Sequence, residues 1–181
     1  MRYRASHRRT QKMKKTLLVT GLILAGLCHQ TAIAAEANVS WGDPKKFFDI
    51  EAVGDKQDRF EQRVMDELTA YIGELAEKLP ADHQFTITIN DLDLTGRVEP
   101  VFVDTGMRYQ RVVDEISYPM IKFTYSYTDA NGQVIQEGEE RIKDLGSIIT
   151  RREIMRSSRD NVYFEKQLLR DWFKDNFKEY F

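Results

Sequence analysis

The residues best placed to do chemistry are the two aspartates of the segment Asn90-Asp91-Leu92-Asp93, which follows a run of alternating apolar residues. Side chains two residues apart on a regular strand point to the same face, so the carboxylates of Asp91 and Asp93 could share a cation or a polar ligand. The further Asp, Gly and Glu positions of a calcium-binding loop are missing. We therefore favour a strand end whose aspartates bond neighbouring backbone groups, and we retain both residues as ligand candidates.

A second candidate is the basic segment 141–160, which holds six arginine and lysine residues against three acidic ones. Its net charge of +3 is unusual in an acidic chain, and such asymmetry is typical of a contact with an anionic lipid, a glycan or an acidic partner. Arg151 and Arg152 form its adjacent pair and are our candidate interaction residues. A solvated loop with a short helix explains the same charges without a function, and peripheral membrane contact is a third interpretation.

Nucleophilic and metal-dependent catalysis find little support in the sequence. Cys28 is the only cysteine, His83 lies in a loop that we expect to be exposed, and no Gly-x-Ser-x-Gly motif frames a nucleophile. We predict no cofactor and no metal centre, and we lean against an enzyme without excluding one. The remaining catalytic alternative is a pair of carboxylates, because Asp and Glu are abundant and their pairing in space cannot be read from a sequence.

Residues 1–34 have the parts of an export signal. A basic stretch ends at Lys15, a 13-residue apolar run follows over 16–28, and small residues stand at Ala32 and Ala34. The apolar run is too short to span a bilayer comfortably. We predict cleavage after Ala34, with Ala35 as the neighbouring possibility, and a periplasmic location in a Gram-negative bacterium. Met13 is an alternative start.

Removal of this leader changes the composition. The chain has 181 residues with 27 basic and 29 acidic side chains, and the leader contains seven of the basic ones and none of the acidic. The remaining 147 residues carry a net charge of −9, no cysteine and one histidine. The lack of cysteine excludes disulfides and thiol catalysis, and the negative net charge argues against a nucleic-acid partner. The length fits one domain, residues 35–181.

The candidate residues must be positioned by helices and strands that the apolar periodicity predicts. Apolar residues spaced by three and four predict amphipathic helices over 57–79 and 161–178. Alternation with period two, and an Asn131-Gly132 turn, predict strands over 37–41, 84–90, within 108–116, 120–128 and 133–143. An alternating strand needs one covered face, and two amphipathic helices supply the cover. We predict an α+β fold, a two-layer sandwich of a mostly antiparallel sheet of four to five strands with two amphipathic helices on one face.

Several short segments carry a family resemblance. They are Val39–Asp49, Ile89–Gly96, Tyr118-Pro119, Tyr163–Lys166 and Asp171–Phe173. Together they resemble the exported proteobacterial proteins of domain-of-unknown-function family 3016, over nearly the whole of residues 35–181. Thr95 departs from this pattern, which has a small apolar residue at that position. The resemblance implies an exported single-domain protein and transfers no catalytic residue.

The sequence thus predicts a non-catalytic binding or interaction module of the cell envelope. Its partner would be an envelope protein or a glycan, with no nucleic acid and no membrane span after leader removal. The alternative is a carboxylate-dependent envelope hydrolase that acts on glycan or peptidoglycan.

Overall fold

The computed structural model describes residues 35–144 and 149–181, and within them the chain forms six strands, three α-helices and two short 3-10 turns. The strands are β1 (Glu36–Trp41), β2 (Gln84–Asp93), β3 (Arg97–Val103), β4 (Gly106–Val112), β5 (Met120–Thr128) and β6 (Val134–Lys143). The helices are α1 (Gln57–Ala76), α2 (Arg151–Ser157) and α3 (Tyr163–Asn176), and the 3-10 turns are Pro44–Lys46 and Lys178–Tyr180. The predicted leader, including the cleavage position Ala34, lies outside the described residues.

Four strands form one sheet in the order β1-β2-β5-β6, and β3 pairs with β4 in a separate two-stranded sheet. The β2–β5 and β5–β6 pairs are antiparallel. β1 runs parallel to β2, because α1 is inserted between them as the crossover that parallel neighbours require. The predicted α+β sandwich with a mostly antiparallel sheet is confirmed. In the described part of the chain no helix is both long and apolar enough to cross a membrane.

The core lies between the four-stranded sheet and the two long helices. β2 contributes the fully buried Phe85, and α3 contributes Phe173, whose ring centroid is 4.9 Å from that of Phe85. Trp172 of α3 meets the rings of Phe123 and Tyr125 edge-on, also at 4.9 Å. Offset and edge-on pairs of this kind add to the hydrophobic stabilisation from burial. The aromatic stripe of α3 therefore covers the sheet, as predicted.

A β-bulge in β2 decides which side chains reach the core. The register with β5 shifts between Ile89 and Asp91, so Asn90 is an extra residue in the ladder. Because side chains alternate with period two, one extra residue moves all later side chains to the other face. Leu92 is consequently fully buried, whereas Asp91 and Asp93 share the opposite face and are only partly buried.

Three sequence-based expectations need correction. β3 was not predicted, and the first helix ends at Ala76, three residues before the predicted end at residue 79. The expectation of an exposed His83 is wrong, because its side chain is only 18% exposed. Its Nδ1 atom lies 2.6 Å from the hydroxyl oxygen of the buried Tyr127. A buried phenol needs a hydrogen-bond partner, and the loop histidine supplies it.

Candidate functional site

The aspartates of the sequence pattern lie where the chain rejoins the edge of the four-stranded sheet. After β1 the backbone leaves the ladder and returns beside the end of β2, where Asp49 and Asp93 form a parallel bridge. The N–H of Asp49 donates to the carbonyl of Leu92 at 3.2 Å, and the N–H of Leu94 donates to the carbonyl of Asp49 at 2.9 Å. This return brings a third carboxylate, Asp49, to the end of β2 that already holds Asp91 and Asp93.

Asp91 is committed to the local backbone. Its Oδ1 atom accepts hydrogen bonds from the N–H groups of Phe48, at 2.8 Å, and Leu92, at 2.9 Å. The first of these fixes the returning segment against β2 across 43 residues of sequence. For Asp91 the geometry therefore agrees with a backbone-bonding aspartate rather than a free ligand.

Asp49 is held by Arg111 of β4. Nη1 of Arg111 lies 2.9 Å from Oδ2 of Asp49 and Nη2 lies 3.0 Å from Oδ1, which is a bidentate ion pair. The guanidinium also donates to the carbonyls of Gly96, Glu51 and Leu94, at 3.1, 3.0 and 3.4 Å. Burial acts to raise the pKa of Asp49, but the hydrogen bonds and charge of Arg111, with the N–H of Glu51, hold it below its usual value. We call Asp49, Asp91, Asp93 and Arg111 the Arg111 cluster.

Asp93 is the carboxyl group of the Arg111 cluster whose protonation is most perturbed. Partial burial, and then the negative charges of Asp49 and Asp91, raise its pKa to about 6. Arg111 and Arg141 act in the opposite direction. A carboxyl group with this pKa exchanges a proton near neutral pH, which is the property that acid–base chemistry or a pH-dependent contact would use.

Glu165 of α3 is a second perturbed carboxyl group, and it is fully buried. Its Oε1 atom accepts hydrogen bonds from the N–H of Thr95 at 2.7 Å and from the Thr95 hydroxyl at 3.0 Å. Its Oε2 atom has no hydrogen-bond partner among the described residues. Burial raises the pKa of Glu165 to about 7. The pairing gives Thr95 a structural role that a small apolar residue, the type expected at this position, could not fill.

A partly open cavity of about 290 Å3 adjoins both features. It lies between α1, α2, the start of α3 and the base of the β3–β4 hairpin, and Thr95 and Arg111 border it. Its apolar lining consists of Val53, Phe60, Val113, Ile154 and Phe164. We call this cavity the α1–α2 pocket. The other seven lining residues are polar or charged, so the pocket combines an apolar wall with polar groups, as small-ligand sites do.

Arg151 and Arg152 lie elsewhere, in the first turn of α2. Both side chains are exposed, and the helix begins with a capping box between Thr150 and Glu153. None of the ion pairs found among residues 35–144 and 149–181 joins these arginines to Asp91 or Asp93. Of the basic segment, Arg141 acts on the Arg111 cluster, because its charge favours the ionised form of Asp93, whereas the arginines of α2 do not pair with the cluster.

Three residues of the candidate site were not predicted from the sequence. Asp49 and Arg111 are 62 residues apart and carry no local pattern that pairs them. Glu165 had a usable signal, because it stands four residues before Leu169 and seven before Trp172, and so falls on the apolar stripe of α3. An acidic side chain on such a stripe predicts a buried carboxyl group with a partner.

In the described ranges, no group of three or more His, Cys, Asp and Glu side chains is arranged to hold a metal ion. The model of a family described as "Protein of unknown function (DUF3016)" matches residues 35–175. The chain belongs to this family. The DUF3016 match contains the Arg111 cluster, the Thr95–Glu165 pair and the α1–α2 pocket. Comparison with curated proteins and with solved structures gives no match.

Proposed function

We propose that this DUF3016 protein is exported to the periplasm and acts there as a non-catalytic interaction module of the cell envelope. Export is supported by the basic, apolar and small-residue parts of residues 1–34. The observation that carries the interaction role is an exposed apolar face on the β3–β4 hairpin.

The residue pairing of the hairpin places four of its apolar side chains on one face, whereas Val101 and Val103 lie on the other. Phe102 lies opposite Met107, and Pro100 lies opposite Tyr109, so these four side chains share a face. Phe102 is 85% exposed, and Met107 and Tyr109 are 55% and 57% exposed. Arg111 lies on the same face at the base of the hairpin, where its bonds to Asp49 fix the ribbon to the main sheet. We call Pro100, Phe102, Met107 and Tyr109 the hairpin face.

This arrangement favours binding to a protein. Aromatic and methionine side chains are enriched where protein surfaces meet, and grouped exposed apolar side chains mark interaction sites. The side chains of the hairpin face give little to the core of their own chain, so the folded protein gains little stability from them. We infer that an envelope protein with a complementary apolar surface covers the hairpin face.

A capture experiment tests this proposal. Cells that express the full chain are treated with a cleavable crosslinker, and the protein is purified by affinity from the envelope. We expect a partner protein with the native chain and its loss in the variant Phe102→Ser/Tyr109→Ser. Arg108→Ser/Gln110→Ser, on the opposite face of the same hairpin, is the matched control and should retain the partner. Equal capture by both variants would contradict a role for the hairpin face.

The hydrolase alternative is favoured by one feature, the partial burial of Asp93 beside Asp49 and Asp91, which raises its pKa. Against it, Asp91 and Asp49 are each committed to hydrogen bonds that hold the fold. A two-carboxylate glycosidase mechanism needs a second carboxyl group that is free to act as acid, base or nucleophile. Peptidoglycan hydrolysis by the purified protein that disappears with Asp93→Asn would establish the alternative, and unchanged turnover in that variant would exclude Asp93 from it.

A further inference from the structure

We propose that the α1–α2 pocket binds a small amphipathic anion, a molecule with a short hydrocarbon part and one negatively charged headgroup. This inference concerns a different surface from the hairpin face and does not depend on it. It rests on the apolar lining of the pocket, on the excess of positive charge around it and on the position of Arg63.

The size and lining of the pocket favour a short apolar group. Its volume of about 290 Å3 lies just below the roughly 300–1,000 Å3 of small-molecule sites, which favours a small ligand. The rings of Phe60 and Phe164 and the side chain of Ile154 form walls from three different helices. A hydrocarbon chain of a few carbons gains free energy by leaving water for such a lining.

The pocket has a source of positive charge in α1. Arg63 borders the pocket and donates from Nη1 to Oδ2 of Asp55 at 3.0 Å. The same carboxylate also pairs with Arg59, at 3.5 Å. Two guanidinium groups therefore share one carboxylate, and the trio keeps one unit of positive charge. The Arg63 guanidinium also lies 5.5 Å from the ring centroid of Phe60, which places charge beside the apolar wall.

α2 adds positive charge on the other side of the pocket. Ile154, Ser157 and Ser158 of this segment border the cavity. Residues 151–160 include four exposed arginines against two partly buried carboxylates. An anionic headgroup between α1 and α2 is attracted by both segments, although the whole exported chain is acidic.

The carboxyl groups near the pocket cancel only part of this attraction. Arg111 is neutralised by Asp49, and Glu51 contributes one carboxylate to the rim. Glu165 lies behind Thr95, and its raised pKa of about 7 means that it is uncharged in mildly acidic solution. The hydroxyl groups of Ser157 and Ser158 donate to helix carbonyls, so Arg63 and Asn161 are left as the donors for a headgroup.

Binding of three simple probes to the full chain tests the proposal. Octanoate supplies a chain and a negative charge, octanol supplies the chain alone, and acetate supplies the charge alone. We expect saturable octanoate binding by calorimetry, with amide NMR shifts at Ile154 and Asn161. Octanol and acetate should bind at least about tenfold more weakly, because each lacks one half of the interaction.

Two arginines of the same helix provide matched variants. Arg63→Met should weaken octanoate binding by about tenfold, because it removes both a positive charge and a donor at the pocket. Arg59→Met removes the same charge from the trio but no residue of the lining, so it should weaken binding by clearly less. Ile154→Ser tests the apolar wall separately should Arg63→Met fail to fold, which circular dichroism would reveal.

Several outcomes would overturn the proposal. They are absence of octanoate binding, equal affinity for octanol or acetate, NMR shifts confined to the hairpin face, and equal effects of the Arg63 and Arg59 substitutions. None of these outcomes bears on the interaction role of the hairpin face, which the capture experiment tests independently.

Discussion

Glu165 and Thr95 form a pair that ties α3 to the turn between β2 and β3. The carboxyl group is enclosed, one oxygen is bonded twice to Thr95 and the other has no partner among the described residues. An enclosed carboxyl group is more stable in its neutral form, because a buried charge is poorly solvated. The pair therefore makes the stability of the fold depend on pH.

We predict that Glu165→Gln removes this dependence. The pKa of Glu165 is raised from 4.5 to about 7 in the folded protein, so its stabilising effect is complete below about pH 4.5 and is lost as the pH rises through 7. Glutamine copies the neutral form. Urea unfolding should show equal stability of variant and native protein at pH 4.5, and a gain on the order of 1–3 kcal/mol for the variant at pH 8. The exposed Glu137→Gln is the control, and an equal pH slope in all three proteins would contradict the prediction.

Asp93 should titrate near neutral pH. Its pKa of about 6 reflects burial and the charges of Asp49 and Asp91, so Asp91→Asn should lower it towards 3.8. Carbon-detected NMR of the carboxyl groups measures this directly. Asp129, whose pKa is lowered by the backbone N–H of Gln133, provides an internal reference below 3.8. A midpoint for Asp93 close to that of Asp129 would show that its surroundings do not disfavour the charged form.

The sequence located some of these residues and not others. The shared face of Asp91 and Asp93 could be predicted, because it depends only on the two-residue repeat of a strand. Asp49 and Arg111 could not be paired, because their contact depends on how a loop and a hairpin return to the same sheet edge. Periodicity describes which face a side chain occupies, but it does not describe which distant side chain it meets.

The β3–β4 hairpin is the element that sequence reasoning described least well. Its first strand contains Pro100, which counts against a strand, and both of its faces are largely solvated. Apolar and polar residues alternate along a strand because one of its faces is buried. The β3–β4 hairpin lies outside the core, so its strands lack this alternation. The main-sheet strands and the two long helices were predictable for the opposite reason, since each buries one face.

Gly96 sets the direction in which the hairpin leaves β2. Its φ angle is +89°, and an added Cβ would collide with the carbonyl oxygen of Val112 and lie 2.9 Å from Cγ2 of Val113. We expect Gly96→Ala to cost about 2–4 kcal/mol of unfolding free energy, from both the left-handed conformation and the collision. Gly54→Ala is the control, because Gly54 has φ +72° with nothing within 4 Å, and should cost about 1 kcal/mol. Equal costs would show that the close approach to Val112 is unimportant.

Arg111 anchors the base of the hairpin to the sheet. Arg111→Met leaves the half-buried Asp49 without its partner and removes donors from three backbone carbonyls. We expect a loss of about 3 kcal/mol in chemical denaturation. Arg108→Met, an exposed arginine three residues earlier on β4, should change stability by no more than about 0.5 kcal/mol. If Arg111→Met lowers the free energy of unfolding no more than Arg108→Met does, Arg111 does not anchor the hairpin.

In the molecule as a whole, the hydrophobic core and the hairpin face belong to different elements. The sandwich of α1, α3 and the four-stranded sheet holds the aromatic core, and the hairpin projects apolar side chains that this core does not use. Substitutions at the hairpin face should therefore leave stability within about 0.5 kcal/mol while they remove binding. The fold class could be predicted from the sequence, because buried faces leave a periodic apolar pattern. The proposed interaction surface could not, because its apolar residues are exposed.

Site-specific photo-crosslinking in intact cells tests the interaction role most directly. A photoreactive amino acid is placed at position 102, on the hairpin face, or at position 108, exposed on the opposite face of the same ribbon. We predict one discrete crosslinked partner protein from position 102 and none from position 108. The same product from both positions, or none from position 102, would contradict an interaction through the hairpin face.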